Sequence, residues 1–156
     1  MNDVHSVLLQ AFHLPAVAEL ETLCFAQPWS ENALTMLTQS GNFGIVALTH
    51  EGRLIGYGGM LTVLDEGQIT NIAVHPEFRR MGVGKAVLSA MISQAEQQGI
   101  TEISLEVRVS NLAAKELYLQ VGFEIAGVRK HFYSHPTEDG LVMVKELHNK
   151  EVRHQS

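Results

Sequence analysis

Apolar and polar positions alternate most regularly between Thr101 and Val109, where Ile103, Leu105, Val107 and Val109 share one parity and Glu102, Ser104, Glu106 and Arg108 the other. A period of two is the signature of a strand with one buried face. Further strands are expected near 5–10, over Gly44–Thr49, Leu54–Thr62 and Gln68–Val74, and near Phe123–Arg129 and Leu141–Leu147. Glu51-Gly52 and Asp65-Glu66-Gly67 carry turn chemistry of hairpin type. Helical spacing appears near 14–26, near 30–40 behind the N-cap Ser30, and from Val83 to Gln98 ahead of Gly99. A last helix of about ten residues starts at Asn111 and stops at Gly122. The order is strand, two helices, three strands, helix, strand, helix, two strands. It predicts one mixed α/β domain over 1–147, followed by a polar tail, 148–156, that is expected to fray.

Composition narrows the classes. A chain of 156 residues fits one domain, burying roughly 70% of the surface its unfolded form exposes. Apolar content of 46% with four prolines argues against disorder, and a net charge of −6 against general nucleic-acid affinity. Cys24 is the single cysteine, so an internal disulfide or a cysteine metal cluster is excluded. The start Met1-Asn2-Asp3-Val4-His5 lacks the basic and apolar regions of a signal peptide, and no apolar run reaches about 18 residues. A cytoplasmic protein with no membrane span is expected.

Two stretches carry candidate chemistry. In the first, the apolar run Ile72-Ala73-Val74 passes through His75-Pro76 into Arg79-Arg80-Met81-Gly82-Val83-Gly84-Lys85. Gly82 and Gly84 allow close approach of the backbone, a helix begins at Val83, and its first N–H groups with Arg79, Arg80 and Lys85 suit an anion such as phosphate. Ala86 stands where a Walker loop needs its hydroxyl, and Val87 where a Rossmann fingerprint needs its third glycine. A tight turn capped by a solvated basic cluster remains the plain alternative.

In the second stretch, Glu106 lies on the polar face of its strand, and Asn111 and Tyr118, seven residues apart, share a helix face beyond it. A group transfer to an amine would need a base, an electrophile held in place and a donor for the leaving group. Glu106, directly or through water, suits the first role and Tyr118 the last, with backbone N–H groups of Ile72 to Val74 polarising a carbonyl. Each also has a structural account: Glu106 as half of an ion pair with Arg108, Tyr118 as amphipathic core, and Asn111 as an N-cap. His131 and His135 flank Phe132-Tyr133 ahead of Pro136, which does not make a helical metal-ligand face, so no metal is expected. His75 reads as a turn residue and Cys24 as inert packing, with nothing basic nearby in sequence.

Arg79-x-x-Gly82-x-Gly84, preceded by Asn71-Ile72-Ala73-Val74-His75-Pro76, resembles the pyrophosphate-binding motif of the GCN5-related N-acetyltransferase (GNAT) superfamily, which binds acetyl-coenzyme A. The block from Leu105 to Asn111 with Ala113-Ala114, Leu117-Tyr118 and Val121-Gly122-Phe123 is similar to the branch that acetylates the N-terminal alanine of a bacterial ribosomal protein. Pro28-Trp29-Ser30 and Glu138-Asp139 match it too. The resemblance implies a single-domain fold with a mixed, mostly antiparallel sheet of seven strands flanked by four helices, its fourth and fifth strands splayed. It further implies Glu106 as proton acceptor and Tyr118 as proton donor. Ile72, Ala73, Val74, Arg80, Met81, Gly82, Val83, Gly84, Lys85 and Asn111 would contact acetyl-coenzyme A, with Arg79 opening the motif. Relatives often carry two tyrosines where this chain has Phe132-Tyr133. Tyr133, and Trp29 if it lines the same cleft, would enclose the substrate N-terminus, although a strand-end aromatic and helix packing account for them as well.

An α-amine has an ordinary pKa near 8 and a lysine near 10.4, so about a tenth of the former but well under a thousandth of the latter is neutral at pH 7. One carboxylate with ordered water suffices for the α-amine. The expected activity is direct, ternary-complex transfer from acetyl-coenzyme A to a protein N-terminus, with transfer to lysine or a small amine, or a non-catalytic acyl-coenzyme A sensor, as the alternatives.

Overall fold

The computed structural model describes residues 4–147, so the tail 148–156 lies outside the described residues. The elements are β1 (His5–Leu8), a 3-10 turn (Ala11–His13), α1 (Leu14–Cys24), α2 (Glu31–Leu34) extended by a 3-10 turn (Thr35–Thr38), β2 (Phe43–Leu48), β3 (Leu54–Val63) and β4 (Glu66–Val74). There follow a 3-10 turn (Pro76–Phe78), α3 (Val83–Gln97), β5 (Glu102–Arg108), α4 (Leu112–Gln120), β6 (Glu124–Tyr133) and β7 (Glu138–Glu146). The seven strands form one mixed sheet in the order β1-β2-β3-β4-β5-β7-β6. Pairing is antiparallel for β1/β2, β2/β3, β5/β7 and β6/β7 and parallel for β4/β5. The parallel ladder covers Glu66–Gln68 against Glu102–Ser104, which fits the expected splay of the fourth and fifth strands. Residues 4–63 with 69–94 make one compact unit and residues 64–68 with 95–147 a second.

In the first unit, Leu9, Leu14, Val17, Leu20, Leu34, Leu37, Val46, Tyr57 and Ala73 form a buried cluster. Each of its leucines and valines contributes about 1.5–3 kcal/mol on burial. Helix α2 starts where expected, with Ser30 Oγ accepting from the Ala33 N–H at 3.0 Å. Its expected run to residue 40 is instead completed as 3-10 turn, because Thr35 and Thr38 turn their hydroxyls back onto the Asn32 and Thr35 carbonyls at 2.6 and 2.7 Å. Gly58 lets α3 approach β3: a Cβ there would collide with Met91 and press on Val87.

The second unit opens at a turn made by Leu64 and Asp65, earlier than the expected Asp65-Glu66-Gly67. Leu64 takes the left-handed φ of 56° and Gly67 is buried inside the strand. Along β5 the alternation holds, with Ile103, Leu105 and Val107 buried and Ser104, Glu106 and Arg108 half-buried on the opposite face. Helix α4 is capped by Asn111 Oδ1 on the Ala114 N–H at 3.1 Å and ends before Gly122 at φ 104°. β6 and β7 form a hairpin longer than predicted, since register shifts near Gly127 and between Arg129 and Tyr133 absorb residues that break strict alternation.

Candidate active site

In the first unit, β4 ends at Val74 and the chain turns at His75, which caps the 3-10 turn by accepting from the Glu77 N–H at 3.1 Å. His75 is therefore the turn residue expected. Arg80 and Gly82 both take left-handed conformations, at φ 65° and 81°, and this reversal sets the start of α3. A Cβ built on Gly82 meets nothing within 4 Å, so the backbone there faces open space. The Ala86 N–H returns to the Gly82 carbonyl at 3.0 Å, and the N–H groups of Val83, Gly84 and Lys85 form the donor end of the helix. Met81, Gly82, Val83 and Ala86 line one side of a cavity of about 630 Å³, with Thr49, His50, Glu51 and Arg53 on another.

The three cations of this loop divide. Arg80 and Lys85 are exposed beside the helix end. Arg79 is exposed as well but engaged: its Nε donates to the Val74 carbonyl at 3.1 Å and its Nη2 to Cys24 Sγ at 3.5 Å. The Cys24 thiol in turn donates to the same carbonyl at 3.4 Å. Arg79 thus ties the end of β4 to α1, and Cys24, expected as inert packing remote from basic groups, has a guanidinium beside it. That neighbour is fifty-five positions away in sequence, which is why local reading did not find it.

Below this loop the same unit holds a polar knot. Glu21, fully buried, accepts from the Tyr57 hydroxyl, from Asn71 Nδ2 at 2.9 Å and from the Trp29 backbone N–H at 2.9 Å. Burial and the carboxylate both push the Tyr57 phenol well above its ordinary pKa. The Trp29 side chain is half-buried and packs against the buried cluster, as the helix-packing account expects. Sequence did carry a sign of the knot, since Glu21 falls at helical spacing with Val17, Leu20 and Cys24 on the inward stripe of α1.

In the second unit, Glu106 Oε2 accepts from Arg129 Nη1 at 2.8 Å and Oε1 from Gln68 Nε2 at 3.3 Å. The predicted partner Arg108 is instead paired with Glu138 at 3.1 Å and donates to the Ser134 and Pro136 carbonyls, each at 3.0 Å. Its guanidinium also lies 4.5 Å over the Tyr133 ring. Arg108 therefore pins the β6–β7 turn and the aromatic at its base. Glu138 completes the clasp by accepting from the Ser110 N–H at 2.7 Å, and these hydrogen bonds hold its carboxyl below the ordinary value.

Tyr118 is 7% exposed and packs edge-on to Phe123, with ring centres 5.5 Å apart. Burial, followed by the neighbouring Tyr133, raises its phenol far above the ordinary value near 10. Tyr133 is half-buried and shifts the same way, from burial first and the Glu106 charge second. Tyr133 thus feels the Glu106 charge and is itself felt by Tyr118, which links the three in one electrostatic group. Asn111 is exposed, its carbonyl oxygen committed to capping α4.

The profile of the Acetyltransferase (GNAT) family matches residues 14–123. A relative from Escherichia coli strain K12, named ribosomal protein bS18 alanine N-acetyltransferase, is 38% identical over 140 residues, covering 90% of this chain and 91% of the relative. A second from Bacillus subtilis strain 168, named as a putative enzyme of the same kind, is 34% identical and covers 81% and 85%. Among solved structures, the ribosomal-protein-S18-alanine N-acetyltransferase from Escherichia coli superposes with a TM-score of 0.83 at 34% identity over 94% of each chain.

Proposed function

The chain belongs to the acetyltransferase (GNAT) family and is an acetyltransferase, and from that premise we propose that it moves an acetyl group from acetyl-coenzyme A to the α-amine of a cytoplasmic ribosomal protein that begins with alanine. The observation that carries the reading is Glu106, a half-buried carboxylate on β5 grouped with Tyr133 and Tyr118, in a chain 38% identical over nine-tenths of its length to a relative named for that reaction.

Acetyl-coenzyme A supplies a thioester, an acyl group already activated towards amines. The turn at Arg80–Gly82 and the first N–H groups of α3 suit its pyrophosphate: they present donors, exposed cations at Arg80 and Lys85, and open space over Gly82. Arg79 holds the end of β4 through the Val74 carbonyl and, being exposed, adds its positive charge to the same site. Ile72, Ala73 and Val74 supply backbone donors for a carbonyl, and Asn111 a side-chain amide.

The acceptor nitrogen attacks the thioester carbon, the C–N bond forms and the C–S bond breaks. Glu106, directly or through water, takes the proton that the nitrogen sheds. Tyr118 is held protonated by its burial. Its raised pKa means that full proton delivery to a thiolate of ordinary pKa near 8.5 runs uphill by about 1.4 kcal/mol per unit of mismatch, so the hydroxyl acts chiefly as a hydrogen-bond donor to sulfur as charge develops there. Tyr133, fixed by Arg108, encloses the acceptor.

The test is mass-spectrometric detection of transfer to two peptides, one with a free N-terminal alanine and no lysine, the other blocked at its N-terminus with a free lysine. Acetylation of the first alone is expected. Acetylation of the lysine peptide alone overturns the acceptor assignment while leaving the family intact.

A further inference from the structure

Glu106 already holds a cation. Arg129 Nη1 lies 2.8 Å from its Oε2, with the carboxylate side chain 16% exposed and the guanidinium 56% exposed. The guanidinium engages end-on, through one nitrogen, and lies 4.5 Å over the Phe132 ring. Its strand, β6, is the edge of the sheet, with β7 between it and β5, so the arginine reaches across β7 to the carboxylate. A one-armed pair with an exposed guanidinium is weak and readily exchanged, and the Phe132 face gives the guanidinium a second seat.

Among the described residues, the other groups around Glu106 are committed elsewhere or uncharged. Arg108 on the same strand is engaged by Glu138 and two carbonyls, Gln68 on β4 is a neutral amide, and Tyr133 on β6 is a phenol. An α-amine arrives at neutral pH chiefly as an ammonium, carrying the same charge as Arg129 and suited to the same oxygen. Two cations on one carboxylate oxygen repel, so one must give way.

We propose that Arg129 is a resident stand-in for the acceptor's ammonium, pairing with Glu106 in the free enzyme, exchanging for the incoming α-ammonium, and returning once acetylation has removed that charge. The inference rests on the reading that Glu106 meets the acceptor amine. It makes substrate binding an exchange of one ion pair for another, with little net electrostatic gain. The acetylated product has no charge with which to keep Arg129 away.

The experiment is calorimetric binding of a lysine-free peptide with a free N-terminal alanine, and of its N-acetylated twin, to the full-length protein in free coenzyme A, where no transfer occurs. R129Q removes the competing cation and R129K keeps it. The free-amine peptide should bind R129Q about five-fold more tightly than wild type, the size of one exposed ion pair no longer sacrificed. The acetylated twin should bind both equally, and R129K should resemble wild type. Unchanged or weaker binding of the free-amine peptide to R129Q, or an equal shift for both peptides, overturns the proposal. Failure of the reading beneath it shows separately, as wild-type turnover by E106Q. That would remove Glu106 as base without touching the binding comparison, which needs only the carboxylate.

Discussion

Tyr57 donates its hydroxyl to the carboxylate of Glu21 inside the first unit, where both residues are fully buried. Among the described residues no cation is a hydrogen-bond partner of that carboxylate; its charge is met by the phenol, the Asn71 amide and the Trp29 N–H. Removing it strands three donors at once. Glu21→Ala should cost about 2–4 kcal/mol in denaturant unfolding. Glu21→Gln, which keeps one acceptor oxygen and the shape, should cost less. A neutral result for Glu21→Ala would mean that water replaces the carboxylate freely.

The roles assigned to the two stretches separate in kinetics. Glu106→Gln should lower kcat by about 10²–10⁴ while acetyl-coenzyme A affinity stays unchanged, as expected when a positioned base is lost. Gly82→Val should do the reverse. The left-handed φ of 81° is hostile to a β-branched residue, at about 1–3 kcal/mol, so the loop reshapes and acetyl-coenzyme A binding weakens by roughly 10- to 100-fold. Because open space surrounds the Gly82 Cβ position, backbone strain is the whole cause, and Gly82→Asn, which tolerates that φ, should retain more affinity.

All three tyrosines of the chain, Tyr57, Tyr118 and Tyr133, have raised pKa values in the fold. Above pH 10 the unfolded chain loses phenolic protons that the folded chain keeps. Folded stability therefore falls as pH rises past that point, and it is fully present below it. Alkaline titration should show tyrosinate absorbance rising together with loss of far-ultraviolet circular dichroism. Absorbance that rises first, on a folded protein, would contradict the burial of these rings.

Glu138 predicts the opposite limb. Its pKa is lowered by the Ser110 side chain first, then by Arg108 and the Ser110 N–H, so its contribution is present above the ordinary carboxylate value near 4.3 and is lost as pH falls through the lower, folded value. The stability gap between wild type and Glu138→Gln should be constant near neutrality and close in acid. Arg108→Ala should loosen the same clasp and raise the acceptor KM several-fold, with acetyl-coenzyme A affinity unchanged.

Periodicity and capping reveal much of this architecture, because α3, β5 and α4 are set by local rules: alternation along Ile103, Leu105 and Val107, the Asn111 cap, and glycines at 99 and 122. The hairpin of β6 and β7 was legible only in part, since bulges near Gly127 and Arg129 obscure the period of two. The nature of the Glu106 environment could not be read at all. Its obvious neighbour was Arg108, two residues along the strand, but Arg108 answers to carbonyls beyond position 133 and the partner comes from Arg129. The reach of a long side chain is settled by tertiary pairing, which adjacency in sequence does not encode.

Neither compact unit is a continuous piece of chain: the second takes 64–68, gives way to 69–94, and resumes at 95. Its ladder between Glu66–Gln68 and Glu102–Ser104 can close only after the whole of the intervening helix and loop have been synthesised. Formation of that parallel pair is a non-local event and belongs late in folding, after the β2–β3 hairpin and α3 have local contacts to nucleate on. A split version of this protein divided anywhere between 69 and 94 would leave both fragments holding residues of both units, and neither half would own a complete set of partners.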